Sequence, residues 1–547
     1  MNIFIKTIVV YGGIKLTQQR KQSFVQGIIT LMFSQIVIKV LGLVYKLYLT
    51  NKNGFGDMGN AICSSGFQIY ALLLTIASIG VPNAVSKLIS EKLSVGDEYG
   101  ANRVFKIAFA MFSVIGFCCS LLLFLGAKYI SGNILQIPEA EMTLLVLAPS
   151  IFFESIISVF RGYFNAKENM RPTANSQSIE QISKTVFTVL IVEFIYYEAA
   201  KLSNRTELMA AGANVSTTIA TFIGVLYLFY CYKKEGKYLK RNRVIYKREK
   251  VISIIKKILI VSMPMTITAI LGGINKNIDS VTVVRGLKNF LSAEEAKNQY
   301  GILSGKVDTL ITLPMSFNIA LTTALVPTIA AAKARKSVKS VENKITFSLL
   351  LTILIGLPST IGMIIFAKPI LNLLFPNANS GAFIFQVSSI SILFILLNQT
   401  ITGILQGIGK QFVPVLSLFI GVIVKLITNL CLVQINPEIF ILGGTAGAAF
   451  GSVLCYIVAF VINAIFLRKF LNIKINKKKF IIKPVLATII MAVNSIFLFT
   501  ILKVRIKEQL ATIISILFAI FIYLICACIM KIFDKKELKN IFLLKSK

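Results

Sequence analysis

The 547-residue chain contains no histidine. Its absence removes the commonest metal ligand, Ser-His and Cys-His nucleophile chemistry, and any imidazole proton relay. The eight cysteines (Cys63, Cys118, Cys119, Cys231, Cys431, Cys455, Cys526 and Cys528) lie in or beside apolar runs, without zinc or disulfide spacing. They read as small hydrophobes. Also missing is any polar segment long enough to fold alone, so the chain is one integral unit rather than a string of soluble domains.

What the chain has is apolar surface: 56% of its residues are hydrophobic and the mean hydropathy is +0.78. A soluble domain carrying that composition would aggregate, which places the chain in a bilayer. The 58 basic residues against 23 acidic ones give a formal charge of +35. In a soluble protein this would suggest nucleic acid; here the Lys and Arg sit in short loops between spans, so no nucleic-acid partner is expected.

A membrane span needs about 20 apolar residues. Runs of that length predict helices near 24–49, 61–86, 103–130, 142–164, 174–197, 207–232, 251–275, 299–332, 344–367, 380–408, 412–434, 440–467, 480–502 and 509–531. With the amino terminus in the cytoplasm, about 41 Lys and Arg fall on the cytoplasmic side and about 13 outside, the positive-inside bias. An even count returns the carboxyl terminus to the cytoplasm.

The segment Lys233 to Lys250 (KKEGKYLKRNRVIYKREK) divides the chain into similar halves. Helix two ends in Gly80-Val81-Pro82, and helix eight in Leu325-Val326-Pro327, both followed by basic residues. Arg161-Gly162-Tyr163 with Pro172 and Lys184 is echoed by Gln406-Gly407-Ile408 with Pro414 and Lys425. Six spans per half is an even number, so the copies are parallel repeats. The expected fold is an all-α, polytopic integral membrane protein of about 14 transmembrane helices. Its parts are a cytoplasmic extension (1–23), an amino-terminal lobe (24–232), a basic cytoplasmic linker (233–250), a carboxyl-terminal lobe (251–467), two further helices (468–531) and a basic cytoplasmic tail (532–547).

A charge inside a span costs at least a few kcal/mol and therefore marks a cavity or a partner. Lys39 sits mid-helix in the first span, on one face with Gln35 and Lys46. Helix four carries Glu154 and Arg161; helix five carries Glu180, Gln181 and Lys184, with Glu180 and Lys184 spaced to pair. Lys306 and Asp308 fall near the outer end of helix eight, and Lys425 and Asn429 lie in helix eleven. The outer loop of about 276 to 298 holds Asn277, Asp279 and Arg285. Each alone is compatible with a snorkelling or interhelical contact. Together, lysines lining a cavity suit an anionic, phosphate-bearing ligand.

Arg161-Gly162-Tyr163-Phe164, with Met170, Pro172-Thr173-Ala174, Ser176-Gln177 and Glu180-Gln181, resembles the signature of the polysaccharide-exporter branch of the multidrug/oligosaccharidyl-lipid/polysaccharide superfamily. Tyr300-Gly301, Leu313-Pro314 and Leu405-Gln406-Gly407-Ile408-Gly409 extend the likeness, which runs from about residue 18 to 535 and points to the stage V sporulation protein B group and the MurJ-type lipid II flippases. The resemblance implies two six-helix lobes around a cationic cavity that accepts an undecaprenyl-pyrophosphate sugar and exposes it outside, without covalent chemistry. It further implies membrane lipids and cell-wall synthesis proteins as partners, no cofactor, and coupling to membrane potential, Na+ or H+. Asn165-Ala166 and the single arginine of Val284-Arg285-Gly286-Leu287 depart from the family pattern. Three rivals make different demands: a drug exporter needs available mid-membrane carboxylates, a membrane enzyme needs a large external loop bearing acids or histidines, and a non-transporting sporulation or assembly protein tolerates loss of the buried charges.

Overall fold

A computed structural model describes residues 38, 40–167, 169–199, 202–236, 249–315, 318, 322, 329, 338–410, 412–470, 478–530 and 532. Lys39, the amino-terminal extension, most of the basic linker, the Leu325-Val326-Pro327 turn and nearly all of the carboxyl-terminal tail lie outside these residues. Every regular element among the described residues is helical. This follows from long apolar runs in which no backbone polar group can be left for lipid to satisfy. Among the described residues, ten helices are long and apolar enough to cross a membrane.

The first bundle comprises α1 (40–51), α2 (Gly56–Ser78), α3 (Val81–Ser94), α4 (Glu98–Tyr129), α5 (Glu141–Ala166), α6 (Arg171–Glu198) and α7 (Arg205–Gly236). Next comes α8 (Val251–Leu287), then α9 (Ala293–Gly301), which runs through a π-helical turn at Ile302–Val307. The second bundle is completed by α10 (Val338–Ile365), α11 (Ala367–Leu374), α12 (Ala382–Gly407), α13 (Phe412–Leu432) and α14 (Gly444–Phe470). The pair α15 (Lys483–Arg505) and α16 (Glu508–Ile529) packs on its outside, α15 against α10. In the first bundle α5 is central, touching α2, α3, α4 and α7; in the second, α12 takes that place between α10 and α14.

One boundary corrects the sequence reading. The seventh helix does not end at residue 275; α8 continues to Leu287, 37 residues or about 55 Å at 1.5 Å per residue. The expected outer loop of 276 to 298 is thus largely helix. Polar Asn275, Lys276, Asn277 and Asp279 lowered the local hydropathy, but a helix satisfies its own backbone, and most of these side chains find partners inside the protein.

The loops are unequal, and the two ends of the molecule can be named by them as lysine-rich and lysine-poor. At the lysine-poor end one apolar core is common to both bundles: Leu49, Phe55 and Ile62 pack with Val283, Tyr300, Leu371 and Phe375. At the lysine-rich end the cores are separate. One holds Val85, Phe105, Phe160 and Leu228; the other holds Ile345, Leu350, Ile404 and Met491. Among the described residues the bundles share a core at one end and keep separate cores at the other. The helix α8 bridges them, with Ile254 and Ile258 in the first bundle's core and Ile278 against Val422 and Cys455 of the second.

Two glycines make the fused end possible. A Cβ on Gly301 would fall 1.9 Å from the carbonyl oxygen of Asp57, and one on Gly305 would fall 2.5 Å from Cγ of Asn60. Both neighbours belong to α2, so any side chain here pushes the bundles apart. Gly301→Ala is expected to destabilise the fused arrangement by about 1–3 kcal/mol, the usual effect of overpacking. A cysteine at Ser304 should then react faster with a thiol reagent applied from the lysine-poor side, and unchanged labelling would contradict the packing described.

At the lysine-rich end Glu249 accepts from Lys92 of α3 at 2.6 Å and from Lys257 of α8 at 2.9 Å. These two ammonium groups hold its carboxyl below the ordinary carboxylate range. A depressed carboxyl stabilises above its unfolded value and loses that contribution as pH falls through the folded value. The difference in melting temperature between the natural protein and Glu249→Gln should therefore shrink on acidification.

Candidate functional site

The charged residues predicted at membrane depth include three hydrogen-bonded groups and several charges outside them. In the first bundle Arg161, on α5, donates from Nη1 to Glu154 Oε1 at 3.0 Å, from Nη2 to both Glu180 oxygens at 2.9 Å, and from Nε to Ser176 Oγ at 3.2 Å. Glu154 and Arg161 are seven residues apart on α5, two helical turns, which stacks them on one face. The proline and small residues that open α6 (Pro172, Thr173, Ala174) let it pack close enough for Glu180 to complete the fork. Gly224 of α7 leaves room for the Glu180 carboxylate, which a Cβ there would meet at 2.4 Å.

In the second bundle Lys425, 2% exposed, donates to Asp279 Oδ2 at 2.6 Å and to the Asn275 carbonyl at 2.7 Å. Asn429, one turn on, donates to Asp279 Oδ1 at 2.9 Å and Thr282 Oγ1 at 3.0 Å. The pair crosses from α13 to α8. The third group seals the lysine-poor end. Lys306, with no exposed surface, donates to Asp57 Oδ2 at 3.0 Å, to the carbonyls of Ala378 and Ser380 at 2.7 and 3.0 Å, and to Ser380 Oγ at 3.3 Å. It ties α2 of the first bundle to the α11–α12 loop of the second. Around it Asn51 donates to the Leu374 carbonyl at 2.8 Å, Lys297 pairs with Glu139, and Arg285 donates to the Asn133 carbonyl at 3.2 Å.

These pairings differ from the spacing-based expectation in two respects. Glu180 is bonded to Arg161 rather than to Lys184, because the guanidinium can serve two carboxylates at once, Nη1 on Glu154 and Nη2 on Glu180. Lys184 instead lies over the rings of Phe67 and Tyr45, 4.8 and 5.3 Å from their centroids. Lys306 and Lys425 are consumed by internal partners, so in this conformation neither presents its charge to a ligand.

Among the described residues, Lys46 on α1, 8% exposed, Lys184 on α6 and Lys276 on α8 have no carboxylate at ion-pair distance. Lys276 is exposed and lies within electrostatic range of Asp308. Lys276 was missed because the seventh span was ended one residue before it; Asp57 and Ser380 were missed because nothing local marks a partner 249 or 323 residues away. Asp57 did carry a signal, an acidic residue in the first turn of a helix, but one that reads as a dipole contact.

A cavity of about 290 Å³ opens in the first bundle between α1, α2, α5, α6 and α7. Ile38, Tyr70, Gln177, Gln181 and Thr221 line it with the Glu154, Arg161, Glu180 and Lys184 side chains. The remaining site expectation, Lys39, follows Ile38 in sequence and falls outside the described residues.

Two helical bundles fused at one end, parted at the other, and carrying charges at membrane depth define a multi-pass membrane protein of the multidrug/oligosaccharidyl-lipid/polysaccharide superfamily fold. The chain belongs to the polysaccharide biosynthesis protein family, whose model matches residues 24–333; residues 304–431 match the MatE family model. Stage V sporulation protein B of Bacillus subtilis (strain 168) is 26% identical over 79% of this chain and 82% of its own length. The lipid II flippase MurJ of the same organism is 25% identical over 85% of this chain and 86% of its own. Among solved structures, a lipid II flippase MurJ in an inward closed conformation superimposes with a TM-score of 0.67 at 17% identity, covering 92% of this chain and 99% of that one. An inward-facing multidrug resistance MATE family transporter gives 0.60 at 14% identity, covering 80% and 98%. Both likenesses concern the fold.

The buried Asp57–Lys306 pair gives a sharp test of the seal. Asp57→Asn strands a buried ammonium and should cost about 3–5 kcal/mol, whereas Asp57→Leu with Lys306→Met removes both charges and should recover most of that. Thermal unfolding of the three proteins in detergent measures it; a single variant no worse than the double would show that the pair is not the seal.

Proposed function

We propose that the protein is a flippase that moves a polyprenyl-pyrophosphate-linked sugar precursor of the cell envelope across the membrane by alternating access. The observation that carries this reading is that, among the described residues, Lys46, Lys184 and Lys276 have no carboxylate at ion-pair distance, while Glu154, Glu180 and Asp279 are already held by Arg161 and Lys425. A lysine within a membrane span without a counter-ion is costly, and an anion that supplies the missing charge recovers that cost. A phosphate suits an ammonium, which binds it as a point charge. One relative is named a lipid II flippase, which supports this reading of the substrate.

A cation exporter would need the reverse arrangement, carboxylates free to receive a cation. Glu154 and Glu180 are held by Arg161 and Asp279 by Lys425, which favours the anionic substrate. With both termini in the cytoplasm, the parted, lysine-rich end faces the side where precursors are made and the sealed end faces outward. Release then requires opening the Asp57–Lys306 seal while the lysine-rich cores close. Moving a net anion outward gains about 2.3 kcal/mol per charge per 100 mV of membrane potential, so no cofactor is needed.

Flipping of a fluorescent lipid-linked pyrophosphate sugar in proteoliposomes, read by an impermeant quencher or by enzymatic access from outside, tests the reading. Lys184→Ala and Lys276→Ala should each slow flipping about tenfold or more, since a hydrogen bond to a charged group contributes about 1.5–3 kcal/mol. Full activity in the double variant would sink the proposal.

A further inference from the structure

We propose that Glu154 and Glu180 share one exchangeable proton, making the first-bundle cavity a proton site whose occupancy keeps Lys184 free for an anion. Two carboxylates meet one guanidinium, and the group sits midway along α5 and a third of the way along α6, where a net charge is strongly disfavoured. Lys184 could balance the second carboxylate, being one turn from Glu180, but its ammonium lies on the Phe67 and Tyr45 rings and makes no ion pair with either glutamate. Among the described residues, a proton on the pair is the remaining way to bring the Arg161–Glu154–Glu180 group itself to neutrality.

The bonding pattern shows where that proton rests. Arg161 Nη2 reaches both oxygens of Glu180, which keeps the larger share of negative charge, whereas Nη1 reaches only Oε1 of Glu154. Its second oxygen is the better place for a proton. The cavity also holds a polar group with nothing to bind: Thr217 lines it, is 7% exposed, and its hydroxyl has no hydrogen-bond partner. That hydroxyl suits a water, which would carry the proton between the carboxyl and the cavity mouth. The titratable or charged side chains on the described cavity walls are Tyr70 from α2, Glu154 and Arg161 from α5, and Glu180 and Lys184 from α6; α7 contributes Thr217, Ala220 and Thr221.

The proton then has a consequence for ligand binding, and this half of the inference rests on the anionic-substrate reading. Loss of the proton leaves a carboxylate about one helical turn from Lys184, which draws the ammonium off the rings and competes with an anion for it. Anion binding and proton binding therefore favour each other, by the reciprocity of linked equilibria. Anion affinity is high below the release pH of the pair and falls as pH rises through it.

Infrared difference spectroscopy of the purified full-length protein tests the proton site directly. The carbonyl stretch of a protonated carboxylic acid should persist at neutral pH in the natural protein and be lost in Glu154→Gln and in Glu180→Gln. Absence of that band at neutral pH in the natural protein, or its survival in both variants, overturns the proposal. Coupling is read with sulfate, whose charge is constant across the titration. Its affinity should fall about tenfold or more on raising the pH, and in Glu154→Gln, which is neutral at every pH, it should stay at the low-pH level. A pH dependence retained in Glu154→Gln overturns the coupling. If sulfate binds at no pH while the band is present, the anionic-substrate reading fails, and the coupling with it, while the proton site stands.

Discussion

The constraint on which the rest of this structure depends is that an unbalanced charge cannot be left in an apolar surrounding. It explains why the deep charges come in closed groups: Arg161 with two glutamates, Lys425 with Asp279, and Lys306 with Asp57. Each group also joins elements that apolar packing alone would leave free to slide. The first fixes α5 to α6, the second α13 to α8, and the third the two bundles to each other. Charges outside such groups are then informative, and Lys46 and Lys184 are two of them among the described residues.

The same constraint separates what could be read in the sequence from what could not. Helix positions were legible wherever apolar runs are uninterrupted: α12 at Ala382–Gly407 and α13 at Phe412–Leu432 match the spans expected at 380–408 and 412–434. The reading failed at α8, where Asn275, Lys276, Asn277 and Asp279 mimic a loop because their partners lie on other helices. Hydropathy scores a residue as if it faced lipid or water; it has no account of a carboxylate facing Lys425. For the site, residue types and depth were legible, but pairing was only partly so. Arg161 and the two glutamates are near in sequence and were grouped correctly, yet Glu180 was matched to Lys184 by spacing when a guanidinium offered a better geometry. No local pattern could pair Asp57 with Lys306.

The two ends of the molecule are held by different physics. The sealed end combines a shared apolar core, backbone contact at Gly301 and Gly305, and a buried ion pair, three interactions that fail together if the bundles separate. The lysine-rich end has two independent cores, so each bundle keeps its internal packing whether or not its neighbour is close. A molecule built this way can exchange one set of bundle contacts for another without unfolding either bundle.

The shared core also bears on how the chain is made. Its residues come from as early as Leu49 and as late as Ala449, so the core cannot exist until most of the protein has entered the membrane. Until then the first bundle must stand on its own clusters, those around Phe160 and around Leu147, with Leu49, Phe55 and Ile62 lacking their later partners. Since lipid tails satisfy these side chains almost as well as protein does, the waiting surface is harmless in a bilayer, though the same surface in water would aggregate. Asp57 is the residue that cannot wait in lipid; placed at the end of α2 where headgroups and water reach it, it can stay hydrated until Lys306 arrives.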